Sequence, residues 1–354
     1  MSNFFRNLVN ELKDEDTLTS IVDDGSGSAE YTGCIDTGSY IVNAVLSGSI
    51  YGGVPNNKIT AFAGESATGK TFFVLGIVKS FLDKNPDAGV IYYDTEAAVT
   101  RDMMKSRGID TKRIIIAEPD TIQKFREHAL KFLEAYTKTD ADARPPMMMV
   151  LDSLGMLSTS KEMADSLEGN DTRDMTKSQV IKAAFRVLTL KCAKAGVPML
   201  VTNHVYAKVG SYVPENEISG GTGLKYAAST IATLSKRKEK VDNQVVGNIV
   251  KVKTYKSRLS KENQQVESLV TYDKGLDRYY GLLDLAEKYG IFKKVSTRYE
   301  LPDGTKVFGK NIIEDPEKYY TKEVLAMLDE AAKKEFSYGA SGSEESFEVE
   351  STEE

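Results

Sequence analysis

Tryptophan is absent from this chain, and cysteine and histidine occur only twice each. Cys34 and Cys192 give no disulfide framework and no metal spacing, and with only His128 and His204 beside them no zinc site is expected. No apolar run approaches the ~20 residues of a membrane span, and the first residues show no secretory leader pattern. The expectation is a reduced, cytoplasmic protein with no membrane partner. Positive charge is not in excess either: 46 Lys and Arg stand against 52 Asp and Glu, a net charge of -6. That excludes a globally basic nucleic-acid coat but leaves room for a local basic groove. What remains, 354 residues of which 41% are hydrophobic, suffices for a large core in one large or two modest domains.

One stretch organises the rest: Gly64, Glu65, Ser66, Ala67, Thr68, Gly69, Lys70 and Thr71. An apolar run over 59–63 precedes it, and a buried helical run beginning at Phe72 follows. Strand, glycine-rich loop and helix in that order is the setting in which G-x-x-x-x-G-K-[ST] binds phosphate. The glycines let backbone N–H groups curl around the phosphates, and the helix N-terminus adds its positive end. Lys70 would neutralise the outer phosphates and the Thr71 hydroxyl would ligate Mg²⁺.

From 37 to about 238 the pattern alternates strand and helix. Strands are expected at 59–63, 90–93, 114–117, 147–151 and 199–202, with helices at 71–82, 101–107, 121–136 and 177–195. This is an α/β domain with a mainly parallel sheet, whose ligands bind at the carboxyl ends of the strands. Three further strand-like runs, at 230–235, 245–256 and 265–272, are expected to extend it in antiparallel fashion. A small α+β module follows, with helices near 282–288 and 316–334 and a turn at Pro302-Asp303-Gly304. At the start, Phe4, Phe5, Leu8, Val9 and Leu12 mark an amphipathic helix, followed by a polar linker. It either docks on a neighbouring subunit or folds back on its own core. Residues 339–354, rich in Ser, Gly and Glu, are expected to be disordered. The division is therefore 1–30 (helix and linker), 31–275 (core), 276–338 (small module) and 339–354 (acidic tail).

Other strand ends carry chemistry. The 147–151 strand ends in Asp152, a Walker-B arrangement that would set this acid beside the metal held by Thr71. The 90–93 strand leads into Asp94-Thr95-Glu96. Glu96 either orients the water attacking a γ-phosphate or is only a helix N-terminal acid. Asn203 and His204 end a further strand, as γ-phosphate sensors or as plain capping groups. Two irregular stretches, 158–176 and 205–223, should emerge together at the carboxyl edge. Their glycines, with Lys208, Lys177 and Arg186, either line a nucleic-acid groove or are mobile surface. Lys256 and Arg258 point the same way from one strand, as trans-acting cations or as a solvated face.

Taken together, these motifs resemble the RecA-type recombinases, and within them the bacteriophage UvsX-like branch. The resemblance rests on Asp36-Thr37-Gly38-Ser39, the 64–71 loop, Tyr93-Asp94-Thr95-Glu96 and Leu151-Asp152-Ser153. It continues through Asn203-His204, Gly220-Gly221-Thr222-Gly223 and Lys256-Ser257-Arg258, and covers about 30 to 335. It implies a RecA-like P-loop ATPase core using ATP and Mg²⁺, with Glu96 activating the attacking water. It makes His204 the γ-phosphate sensor, and Lys256 and Arg258 the cations that reach the neighbour's nucleotide. Met103 stands where bacterial relatives stack a tyrosine on adenine. Arg186, Gly220, Gly221 and Thr222 become DNA contacts, and the amino-terminal helix the arm that packs on the adjacent subunit. The implied activity is ATP-dependent pairing and strand exchange by a filament on single-stranded DNA, with duplex DNA as second substrate. Single-strand-binding and loader proteins would be partners, in an infected bacterial cytoplasm. The rival readings are a hexameric RecA-core helicase and a non-catalytic recombination mediator; a small-molecule kinase lacks its Arg-rich lid.

Overall fold

The computed structural model describes residues 3–12, 19–24, 27, 30, 33–170, 174–207, 216–218, 222–241, 244–271 and 275–339. Within these, the side chains at 3, 207, 216, 217, 222, 239–241 and 244–246 are not described. Lys208, Gly220, Gly221 and the tail from 340 onward lie outside the described residues.

The chain opens with helix α1 (Asn3–Leu12), whose Phe4, Phe5, Leu8 and Leu12 are exposed. Two short strands, β1 (Cys34–Ile35) and β2 (Val54–Pro55), pair around α2 (Tyr40–Ser47). Residues 41–46 of α2 are all buried, so it has no polar face for a periodicity argument to find.

The sheet follows. In chain order, β3 (Ile59–Gly64), α3 (Lys70–Lys84), β4 (Gly89–Asp94), α4 (Arg101–Ser106), β5 (Ile114–Ala117), α5 (Ile122–Lys138) and β6 (Met147–Asp152) come first. Then α6 (Ser160–Leu167), α7 (Lys177–Ala195), β7 (Met199–Ala207), β8 (Asn216–Ile218), α8 (Thr222–Ala227) and β9 (Thr230–Val241) follow. The strands β10 (Gln244–Ser257), β11 (Gln265–Thr271) and β12 (Gly275–Leu276) complete it. The spatial order is β5-β4-β6-β7-β3-β9-β10-β11-β12, with β8 paired on β7. From β5 to β9 every neighbour is parallel, which requires helical cover on both faces and explains the near-continuous apolar strands. One face packs on α2, α3 and α4, the other on α5, α7 and α8.

Three expectations change. The first of the added strands, β9, pairs parallel with β3, and the antiparallel pairings begin with β10 and continue through β11 and β12. The reason is the connection: chain leaving β7 passes through α8 and crosses β3, a crossover rather than a hairpin. The 158–176 stretch is not all irregular but contains α6. Thr159 and Glu162 form a reciprocal capping box at its start. Its exposure on all sides removed the apolar periodicity that would have announced it. The expected helix at 316–334 is two, α11 (Pro316–Tyr319) and α12 (Lys322–Phe336), because Thr321 caps a new start with its hydroxyl on Val324 N–H.

Between β12 and α11 lie α9 (Leu282–Lys288), a three-stranded antiparallel sheet of β13 (Lys293–Val295), β14 (Arg298–Glu300) and β15 (Lys306–Phe308), and α10 (Gly309–Glu314). The apolar faces of α9 and α12 join the same core cluster as α2 and α3. Asp329 of α12 accepts from the Ser49 hydroxyl and the Ile50 N–H, fixing that helix to the loop after α2. No described helix is long and apolar enough to cross a membrane.

Candidate functional site

The phosphate loop joins β3 to α3 at the carboxyl edge of the sheet. Gly69 has φ 89° and stands immediately before the first helical residue, a conformation that glycine adopts without Cβ strain. Ala67 also has positive φ, at 60°. Glu65, Ser66 and Ala67 are exposed, whereas Thr68 is buried and its hydroxyl donates to the Glu65 carbonyl at 2.9 Å. Lys70 is buried, and its ammonium donates to the carbonyls of Gly64 (3.0 Å) and Glu65 (2.8 Å). These carbonyls occupy the donors that a phosphate would take. Burial draws the Lys70 pKa below its ordinary value, opposed by the nearby Glu96 and Asp152 carboxylates.

Strand register brings the acids to that loop. Gly64 pairs with His204, and Asp94 with Asp152. Asp94 is a brace rather than a reactant: its carboxylate accepts N–H bonds from Glu96, Ala98 and Val99 and folds the turn that presents Glu96. Thr95 ties that turn to the end of β6, donating its hydroxyl to the Ser153 carbonyl and accepting the Ser153 N–H, both at 2.8 Å. The Asp152–Ser153 peptide is cis. Glu96 keeps about a third of its side chain exposed, and its Oε1 accepts from the Ser153 hydroxyl at 2.7 Å. His204 Nε2 lies 3.3 Å from the same oxygen. One carboxylate oxygen is thus anchored by two neighbours.

Asp152 is buried and accepts from the Tyr92 hydroxyl at 2.6 Å and from the Thr202 hydroxyl. Both partners are neutral, so its negative charge is uncompensated apart from Lys70 nearby. Asp152 and the half-buried Thr71 hydroxyl are both oxygen donors, the hard chemistry that Mg²⁺ takes. Among the described residues no three acids, histidines or cysteines cluster as a metal cage. The set therefore suits an ion completed by nucleotide phosphates.

The second pair of cations lies elsewhere. Arg258 N–H bonds the Ser229 carbonyl and Ser229 N–H bonds the Ile59 carbonyl, so Arg258 stands at the start of β3. Gly64 is five residues further along, about 17 Å at strand rise. Lys256 donates to the carbonyls of Lys225 and Ala228, and Arg258 Nη2 to that of Tyr226 at 3.3 Å. Both cations therefore hold the C-terminal carbonyls of α8, the short helix that follows the 205–223 stretch. Burial, and then the Arg258 charge, lower the Lys256 pKa against the pull of Glu262.

Arg186 joins this opposite edge. It lines a cavity of about 430 Å³ with Lys58, Thr189, Leu190 and Arg258. One turn earlier on α7, Lys182 packs against α8, where a Cβ on Gly223 would lie 2.8 Å from the Lys182 nitrogen. Thr222 begins α8 beside that contact. Lys177 is spent on Glu162 at 3.1 Å.

Sequence reasoning missed a basic groove beside the phosphate loop. Lys225, Lys236, Lys251, Lys253 and Tyr255 line a cavity of about 770 Å³ with Glu65, Ser66 and Thr68. The alternation Lys251, Lys253, Tyr255 against buried Val250, Val252, Thr254 was the available signal. Ser153 and Thr95, which position Glu96, were also missed. Their roles depend on β4 and β6 being neighbours.

Residues 7–277 match the model of the RecA N-terminal domain. The chain belongs to the RecA family. It is 31% identical over 254 residues to the recombination and repair protein of Enterobacteria phage T4, covering 72% of this chain and 63% of that protein. The match thus spans less than two thirds of that relative. It is 30% identical over 276 residues to the RecA protein of Deinococcus radiodurans, covering 76% of this chain and 71% of that protein. The RadB recombinase crystal structure matches with a TM-score of 0.50 at 18% identity, over 69% of this chain and 99% of that one, a likeness of fold.

Proposed function

We propose that this RecA-family chain is an ATP-dependent DNA recombinase that polymerises on single-stranded DNA, binds ATP between adjacent subunits and pairs the bound strand with a homologous duplex. The observation that carries this reading is the separation of the site into two halves at opposite edges of one sheet. Arg258 stands level with the start of β3 and Lys256, two strands away on β10, level with its middle, so neither is placed against its own phosphate loop. They suit the loop of a neighbour stacked head to tail, an arrangement that generates a helical filament.

In such a junction Lys70 leaves the Gly64 and Glu65 carbonyls for the β- and γ-phosphates. Glu96, held by Ser153, orients water for in-line attack, and His204 registers the γ-phosphate through the same carboxylate oxygen. Lys256 and Arg258 of the next subunit offset the charge spreading on the γ-phosphoryl oxygens. Mg²⁺, held by Thr71 and Asp152, would supply further neutralisation of the β- and γ-oxygens. The DNA backbone runs against the lysine groove and the 205–223 stretch, with Arg186 and Thr222 on the adjoining helices. In this division, residues 1–30 serve as the docking arm, 31–275 as the motor and 276–338 as its carboxyl-terminal module. The acidic 339–354 tail competes with DNA for the groove.

A mediator that only binds ATP would not need Glu96 oriented by Ser153, and that positioning favours hydrolysis. Electron microscopy with ATP and single-stranded DNA, alongside a strand-exchange assay, tests the proposal. Helical filaments with exchange are expected. Closed rings without exchange would overturn it.

A further inference from the structure

At the amino edge of the sheet, the cavity of about 430 Å³ gathers positive charge without its counterpart. Lys58 leads into β3, Arg186 belongs to α7 and Arg258 follows β10, and all three line it. No Asp or Glu stands among its lining residues, in a chain whose net charge is -6. Arg186 forms no hydrogen bond or ion pair among the described residues. Arg258 commits only Nη2, 3.3 Å from the Tyr226 carbonyl. Burial, and then the Arg258 charge, draw the Lys58 pKa below its ordinary value, the mark of like charges crowded together.

A hydroxyl completes the set. Ser229 lines the same cavity, is only 4% exposed, and its hydroxyl has no hydrogen-bond partner among the described residues. Its backbone is fixed on both sides: the N–H donates to the Ile59 carbonyl at 2.9 Å, and the carbonyl accepts the Arg258 N–H at 3.0 Å. Ser229 and Arg258 are therefore held against the start of β3 before any ligand arrives. A polar group buried without a partner costs stability, and its retention is explained when a ligand supplies the acceptor. Leu190 and Ala193 form part of the remaining wall. Apolar walls around charges of one sign concentrate their field on whatever enters.

We propose that this cavity is a second phosphate site, separate from the loop at 64–71, in which Lys58, Arg186 and Arg258 meet the charge of a phosphate group and the Ser229 hydroxyl donates to one of its oxygens. The volume falls within the roughly 300–1,000 Å³ of small-ligand sites. Three cations exceed what one carboxylate can balance, whereas a terminal phosphate brings about two negative charges and several acceptor oxygens. Guanidinium forks match such oxygens in pairs. The end of a free polyphosphate and a phosphate of a nucleic-acid backbone share this chemistry. The inference goes beyond the recombinase reading, which gives neither Lys58 nor Ser229 a role, and it stands whether or not the 64–71 loop takes nucleotide.

The probe is inorganic triphosphate, titrated calorimetrically without Mg²⁺ into the full chain carrying Lys70→Ala, which removes the 64–71 loop as a competitor. In that background Lys58→Gln should weaken binding by about tenfold or more, the worth of a hydrogen bond to a charged group. Ser229→Ala should weaken it by about fivefold, and Lys58→Arg should keep most of the affinity. Lys310→Gln, the same loss of charge at an exposed position on α10, should change nothing. If Lys58→Gln does not fold, Ser229→Ala carries the test, since it removes one unpartnered hydroxyl. Repeating the titrations with oligothymidylate separates the two sources. Loss confined to triphosphate assigns the site to free phosphate, and loss confined to the oligonucleotide assigns it to a backbone phosphate; either supports the site. No change with either probe, or equal weakening by Lys58→Gln and Lys310→Gln, overturns the inference and leaves the reading of the 64–71 loop untouched.

Discussion

The two edges of the central sheet handle charge in opposite ways. At the carboxyl edge, Asp152 and Glu96 accept from hydroxyls, Tyr92, Thr202 and Ser153, and are left with charge for a cation to meet. At the amino edge, Asp36 is saturated by Lys84, Arg278, Asn43 and the Gly38 N–H, while Lys256 and Arg258 hold only backbone carbonyls. One edge is short of positive charge and the other has cations to lend. On the proposed reading each edge would complete the other in a second copy, and the asymmetry is what the following experiments test.

The largest effect should follow from removing the lent charge. Lys256→Ala or Arg258→Ala should lower DNA-stimulated hydrolysis by about 10³-fold or more, the scale of a trans-acting cation. Nucleotide affinity of the isolated subunit should be unchanged. Mixing Lys256→Ala with Lys70→Ala subunits should restore measurable hydrolysis, because junctions pairing the first variant's loop with the second's cations are whole. No recovery on mixing would break the two-edge account.

Next comes the acid. Glu96→Ala should retain ATP and DNA binding and lose about 10²–10⁴-fold in turnover. Hydrolysis within a few-fold of wild type would remove Glu96 from the chemistry. Ser153→Ala deletes only the hydroxyl that orients it and should cost about tenfold in turnover, the worth of one hydrogen bond to a charged group. Its KM for ATP should not move. If KM rises instead, Ser153 supports binding rather than the position of Glu96.

How much of this was legible in sequence depends on whether a residue's role is local. The strands at 59–64, 89–94 and 147–152 are apolar because both faces are covered, and each ends where polar residues begin, so the strands and the candidate residues at their ends were readable. The α7 helix announced itself by periodicity. The α2 helix did not, being buried all round, nor did α6, being exposed all round. The direction of β9 follows from a crossover that strand composition does not encode. Ser153 and Thr95 matter because β4 and β6 are neighbours, and the packing of Arg107 over the Phe72 ring is likewise a contact that sequence does not show.

The smallest effect tests the amino edge as structure rather than chemistry. Burial would raise the Asp36 pKa, yet the bonds from Lys84, Asn43, Arg278 and Gly38 outweigh it and hold the carboxyl at about 2, against 3.8 unperturbed. A depressed folded-state value means the stabilisation is fully present above the unfolded value, near pH 4, and is lost as pH falls through about 2. The difference amounts to about 2 kcal/mol at neutral pH. Asp36→Asn should therefore be less stable by about that amount at pH 7, measured by urea unfolding. The gap to wild type should close as the pH approaches 2, because protonating Asp36 removes from wild type the charge that the variant already lacks. A gap that stays constant from pH 7 to pH 2 would mean that Asp36 acts through its shape and neutral hydrogen bonds. The contrast between a charge-satisfied amino edge and a charge-hungry carboxyl edge would then lose its first term.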